Sequence, residues 1–244
     1  MLLKILACAL VLVLVSDLAS AQWRGRQVQL QTVRQWNQEY DVCMASNSPF
    51  RFYNSPVAAC GKVIAASLSN KEKRAIVDLH NELRKNVARG LESRGEPGPQ
   101  PAATNMKLLK WDDKLARTAQ NLVNACIPQR HDQCRHYPDL TVGQNLGWKW
   151  TTRKYKKGEL PLDGKIEEII NDWYNEVRSF NSANVKSYQH VFAVGHYTQL
   201  VWAETNRIGC GAVKYFQGGK HNLLLACNYA PSGNVIGMPV YKTS

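Results

Sequence analysis

The chain has 244 residues, with 31 Lys and Arg against 19 Asp and Glu and a formal net charge of +12. A surplus of this size favours acidic partners such as sulfated glycans or anionic lipid, and it bears on association, not on fold. The length suits one domain, or one domain and a tail, and beyond residue 21 no run approaches the roughly eighteen apolar residues of a membrane span.

Residues 1–21 read Met-Leu-Leu-Lys4, an apolar run from Ile5 to Val15, then Ser16-Asp17-Leu18-Ala19-Ser20-Ala21. A positive start, a short apolar core and an Ala-x-Ala end predict a cleaved secretory signal, with Gln22 as the mature start and an extracellular destination. Nucleic acid is thereby excluded as a natural partner. Cys8 leaves with the signal, and Cys43, Cys60, Cys126, Cys134, Cys210 and Cys227 remain. An even set in an oxidising compartment predicts three disulfides, with fifteen pairings open, and no Cys-x-x-Cys pair supports a zinc cluster.

Residues 22–68 read as an irregular, disulfide-tied leader with turn formers at Asn47-Ser48-Pro49 and Asn54-Ser55-Pro56. Ser69 and Glu72 make a capping box that predicts a helix to about Ala88, stopped by Gly90. Its apolar face is Ile76, Leu79, Leu83 and Val87, bordered by His80. The run Glu96-Pro97-Gly98-Pro99-Gln100-Pro101 is a loop. A second helix is expected over Asp112–Cys126, with Asp112 and Asp113 where the helix dipole favours negative charge.

Residues 127–164 read as loops with short strand fragments, and Arg153-Lys154-Tyr155-Lys156-Lys157 as a solvated basic loop. A third helix, Lys165–Phe180, buries Ile166, Ile169, Ile170, Trp173, Val177 and Phe180. Two strand-like runs, Gly211–Phe216 and Leu223–Tyr229, form a hairpin that Cys210 and Cys227 can bridge. Helices around a small antiparallel sheet make the fold α+β.

Glu176 breaks the periodicity, because it shares a helical stripe with Ile169, Trp173 and Phe180. A carboxylate in an apolar stripe needs a partner or a cleft. With His80 and His196 it could form an acid/base or metal site, or a polar cluster that fixes helix packing. His131, His136, His190 and His221 read as solvated.

Gly195-His196-Tyr197-Thr198-Gln199-Leu200-Val201-Trp202 and Leu225-Ala226-Cys227-Asn228-Tyr229-Ala230-Pro231-Ser232-Gly233-Asn234 closely resemble the two signature motifs of the CAP superfamily (cysteine-rich secretory proteins, antigen 5, pathogenesis-related-one proteins). The resemblance implies a secreted, monomeric, three-layer α-β-α sandwich over residues 69–244, better suited to binding than to turnover. It also implies a cleft of two histidines and two glutamates. Matching by motif assigns His80 in His80-Asn81-Glu82-Leu83-Arg84, His196, and Glu176 in Trp173-Tyr174-Asn175-Glu176-Val177.

The second glutamate is replaced, since the family's Gly-Glu-Asn-Leu reads Gly143-Gln144-Asn145-Leu146. An amide neither exchanges a proton nor supplies charge. Catalysis is therefore not expected and no cofactor is required, although His80 and His196 could hold zinc or another divalent ion weakly. A metal-assisted hydrolase would need one of those histidines to activate water and Glu176 to shuttle a proton.

The loop Arg89–Ala102 and Asn105-Met106-Lys107 look like insect antigen 5, a venom and salivary branch that includes allergens. That branch implies the pairings Cys43–Cys134, Cys60–Cys126 and Cys210–Cys227, and host proteins, receptors and IgE as partners. Two roles are implied. One is a carrier of sterol, fatty acid or lipid mediator, in a groove beside Ile76, Leu83 and Val87. The other is an antagonist of integrins or platelets, for which this chain offers only Arg24-Gly25-Arg26, Arg94-Gly95-Glu96 and Lys242-Thr243-Ser244.

Overall fold

The computed structural model describes residues 56–135, 137, 139–156 and 162–244. The signal sequence, Arg24-Gly25-Arg26, His136, Lys157 and the Cys43 end of the Cys43–Cys134 pairing lie outside those residues.

The first helix, α1 (Asn70–Ala88), starts where its capping box predicts. The Ser69 hydroxyl accepts from the Glu72 amide at 3.3 Å, and the Glu72 carboxylate accepts from the Ser69 amide at 2.8 Å. Its buried stripe is Ile76, His80, Arg84 and Val87, all at 0% exposure. Half of that stripe is polar. Arg84 is buried without a carboxylate partner among the described residues. Its guanidinium donates instead to the main-chain carbonyls of Lys107, Leu200, Trp202 and Thr205, with a longer contact to Ala203. Desolvation pulls its pKa down to about 9, so it stays cationic at neutral pH.

Five strands form one sheet in which β1 (Lys62–Ala65), β4 (Arg207–Gln217), β5 (Lys220–Ala230) and β3 (Gly143–Thr151) lie side by side in that order. All those pairings are antiparallel, while β2 (Lys110–Trp111) pairs parallel to the start of β4. The central hairpin turns on Gly218 and Gly219, whose φ values of 57° and 74° are those glycine tolerates best. Its strands are longer than the apolar runs suggested. The expected loop region between residues 127 and 164 contains β3, a nine-residue edge strand. The leader, expected to be irregular to Leu68, contributes β1.

Strand alternation sorts the core into two layers. Leu223, Leu225, Cys227 and Tyr229 of β5 face a large cluster with Ile76 and Val87 of α1, with Ile166, Ile169, Ile170 and Trp173 of α3 (Lys165–Asn175), and with Tyr197 and Leu200 of α4 (Gly195–Leu200). Leu224 and Ala226 face the opposite side, against Ala119, Leu122 and Val123 of α2 (Asp113–Asn124). The result is the α-β-α sandwich, and burial on both faces explains why β5 reads as a continuous apolar run. Helix α2 lies directly on β4: a Cβ on Gly209 would come within 2.3 Å of the Asp112 carbonyl oxygen, and one on Gly211 within 2.3 Å of the Gln120 backbone.

Two disulfides join described residues, Cys60–Cys126 between the segment before β1 and the end of α2, and Cys210–Cys227 across β4 and β5. Helix α2 ends at Asn124, with Asp112 as its cap, and so falls short of Cys126. Helix α3 stops at Asn175 and tightens into a 3₁₀ turn over Glu176–Ser179, where a single helix to Phe180 was expected. The tightening turns the Glu176 carboxylate towards α4. Replacing the buried cation, Arg84→Met, should lower unfolding free energy by about 3 kcal/mol or more, since several carbonyls lose their donor without gaining water. Urea unfolding at neutral pH checks this.

Candidate functional site: a polar cleft at the sheet edge

Glu176 organises one wall of the cleft. Its carboxylate accepts from the main-chain amides of His196 at 2.8 Å and Tyr197 at 3.1 Å, which open the short helix α4. It also accepts from His196 Nδ1 at 2.6 Å. A carboxylate can only accept here, so Nδ1 carries the hydrogen of this contact. The His196 ring stacks on Trp173, with centroids 5.9 Å apart and planes 16° from parallel. The carboxylate that looked anomalous in an apolar stripe is thus satisfied three times.

Gln144 forms the other wall, and its orientation follows from a chain of forced donors. The Leu115 carbonyl can only accept, so the Asn228 amide must turn its NH₂ to it, at 3.2 Å, and to Thr118 Oγ1, at 2.8 Å. Asn228 Oδ1 then accepts from Gln144 Nε2 at 2.9 Å. Gln144 Oε1 is left to accept from the Asp132 amide at 3.2 Å and from His131 Nδ1 at 2.9 Å. His131 is therefore held in the same tautomer as His196. It is solvent-exposed as a residue, but its Nδ1 edge is covered. Loss of solvent around the ring holds its pKa below the usual histidine value, and the charges of Arg135 and His196 add to that against the raising bond from Gln144.

His80, matched to the cleft from its motif, lies beneath it. The residue is 0% exposed. Its Nδ1 donates to the Ile76 carbonyl at 2.7 Å and its Nε2 accepts from the Tyr229 hydroxyl at 2.9 Å, so neither nitrogen is available to a metal. Burial keeps it neutral, with a pKa of about 4. The Tyr229 hydroxyl in turn accepts from Asn145 Nδ2 at 3.4 Å, which also reaches the His196 carbonyl at 3.1 Å. His80 supports the cleft from behind through these links.

The histidine that does reach the cleft, His131, was read as a solvated loop residue. The signal that marks it is its place between Cys126 and Cys134, in a loop whose two ends are cysteines. Of the tripeptides weighed for receptors, Arg94-Gly95-Glu96 has its arginine paired with Glu92 at 2.7 Å and bonded to Asn175 at 2.7 Å. The Lys242 backbone is tied to Asn105 and Thr104, which holds the start of Lys242-Thr243-Ser244 against the body of the protein.

Chemically, His131 and His196 each have Nδ1 anchored by an acceptor, the arrangement that orients histidine ligands of metals. Among the described residues no group of three or more His, Cys, Asp or Glu is placed to hold a metal ion. The donor set fits a borderline divalent ion such as Zn²⁺ bound by two imidazoles, with solvent completing the shell.

Two outcomes follow. Between its folded pKa of about 4 and its ordinary value of 6.5, His80 takes up protons only in the unfolded chain. That residue's contribution should therefore fall by about 2 kcal/mol from pH 7 to pH 5 and level off below pH 4, with unfolding curves of His80→Gln lacking this component. Gln144→Glu should place a carboxylate against Asn228 Oδ1, lowering stability by about 1–3 kcal/mol at neutral pH. NMR titration should also show the His131 pKa rising beside the new charge.

The description "CAP: Cysteine-rich secretory protein family" matches residues 77–229. Venom allergen 5 2 of Polybia paulista is 43% identical over 204 residues, covering 83% of this chain and 93% of its own. Venom allergen 5 of Polybia scutellaris rioplatensis is 44% identical over 184 residues, covering 75% and 85%. Among solved structures, BmVAL-1 superposes with a TM-score of 0.62 at 26% identity, covering 72% of this chain and 84% of its own. NaASP2 with Zn²⁺ gives 0.60 at 25%, covering 75% and 91%. With those motifs, this sandwich and this cleft, the chain belongs to the cysteine-rich secretory (CAP) protein family.

Proposed function

We propose that this is a secreted, non-catalytic binding protein of the antigen 5 type that sequesters a lipid or small hydrophobic mediator. The observation that carries the reading is a groove of about 440 Å³ between α1 and α3. Its lining combines Ile64, Ala75, Leu162 and Ile166 with the cations Lys71 and Lys214 and the acids Glu72, Asp163 and Glu167. Apolar walls interspersed with polar groups suit a small amphipathic ligand. The groove lies outside the stripe first considered, because Ile76 and Val87 are core residues at 0% exposure. The venom allergen 5 relatives support export and recognition by host antibodies. No helix among the described residues is long and apolar enough to cross a membrane. Removal of a lipid mediator of haemostasis or inflammation in a host is the role this chemistry serves.

A second reading concerns the cleft. The acceptor-anchored Nδ1 atoms of His131 and His196, and the likeness to NaASP2 with Zn²⁺, support a weakly held divalent cation there. With Gln144 in place of an acid, such an ion would have no second carboxylate for proton transfer, which favours binding over hydrolysis.

Displacement of a fluorescent fatty acid tests the carrier reading. The natural chain should retain the probe, and Ala75→Trp, which fills the groove, should weaken retention at least tenfold at unchanged unfolding midpoint. A chain that retains no fatty acid sinks the reading. In zinc calorimetry, His131→Ala and His196→Ala should each abolish uptake, whereas equal uptake by both variants removes the cation site.

A further inference from the structure

One end of the sheet gathers cations and aromatic rings from three separate stretches of chain. Lys62 opens β1 opposite Phe216, Gln217 at the end of β4 faces Lys220 at the start of β5, and Thr151 at the end of β3 faces His221. Arg153, Lys154 and Lys156 follow Thr151 closely and are exposed. The basic run that looked like a solvated loop is laid against the sheet: the Tyr155 hydroxyl accepts from the Leu162 amide at 3.2 Å, and its ring meets His221 edge-on with centroids 4.9 Å apart. The His221 ring packs on Phe216, also at 4.9 Å. Arg153 lies over Tyr155 at 5.3 Å and Lys220 over Trp150 at 4.0 Å.

Trp148 and Trp150, two apart on β3, share the face opposite to His221 and Phe216 and remain 38% and 47% exposed. Residues 56–68, 140–156 and 205–244, which contain β1, β3, β4 and β5, have no Asp or Glu. Two nearby lysines are already neutralised, Lys149 by Asp172 at 2.5 Å and Lys214 by Glu72 at 2.6 Å. Those two do not contribute.

We infer that this sheet end binds a sulfated glycosaminoglycan. Flat indole faces along an edge strand suit the C–H faces of pyranose rings, and Lys220 against Trp150, with Lys154 just past the end of the same strand, suits sulfate groups on the same chain. A bilayer would call instead for protruding aliphatic tips, and the most exposed apolar side chains, Phe192 at 94% and Ile236 at 68%, belong to other segments. The site is independent of both the groove and the histidine cleft.

Calorimetry with a heparin-derived oligosaccharide on the oxidised mature chain, at about 0.15 M salt, tests this. The natural chain should bind the sulfated oligosaccharide and not its desulfated counterpart. Lys154→Gln with Lys220→Gln should weaken binding at least tenfold, and Trp150→Leu at least threefold, each with an unchanged unfolding midpoint. Lys110→Gln with Lys186→Gln removes the same charge elsewhere and should stay within twofold. Absence of binding, an equal loss in the distant pair, or tighter binding to phosphatidylserine vesicles with the same variant losses would each overturn the inference. If Trp150→Leu unfolds, Trp150→Tyr keeps an aromatic face and should retain most of the affinity.

Discussion

A buried guanidinium bonded only to main-chain carbonyls among the described residues determines how the parts of this protein meet. Arg84 projects from α1 and donates to Lys107 on one side and to Leu200, Trp202 and Thr205 on the other. The second group spans the end of α4 and the approach to β4. Carbonyls left behind by a terminating helix are orphan acceptors, and a planar five-donor fork satisfies several at once. Asn81, one turn earlier, exchanges two bonds with Leu109 and clasps the same loop. Helix α1, the loop before β2 and the His196 segment are therefore one rigid unit. The cleft inherits its geometry from that unit.

Within the cleft the controlling quantity is hydrogen-bond polarity. Glu176 works as an acceptor for the start of α4 and for His196 together, so one carboxylate fixes both a helix and a tautomer. Gln144 must donate at one end and accept at the other, which an ionised acid at that position cannot do. The amide that departs from the family's usual glutamate thus matches Asn228 on one side and His131 on the other. The departure is built into the network and leaves two imidazoles directed by neutral and anionic acceptors of different strength.

The same economy of paired groups appears outside the cleft. Where cations face carboxylates, as at Lys149–Asp172 and Lys214–Glu72, the surface is neutralised locally. Where they face rings, as at Lys220–Trp150 and Arg153–Tyr155, the cation lies over an aromatic face.

Much of the fold was legible in the linear order. The capping box at Ser69 and Glu72, the acidic start of α2 at Asp112 and Asp113, the apolar period of α3 and the glycine-turned hairpin are local signals, each confined to a few neighbouring residues. Edge strand β3 was not legible, because Trp148, Lys149 and Trp150 show no burial pattern until β5 lies beside them. The cleft divided in the same way. Glu176 and His196 announced themselves, one by breaking a stripe and one by its motif. The choice between His80 and His131 was made only by the packing of the sheet edge. A histidine on an amphipathic helix and a histidine in a loop look alike in sequence, and which one meets solvent depends on neighbours far away in the chain, here Tyr229 for the first and Gln144 for the second.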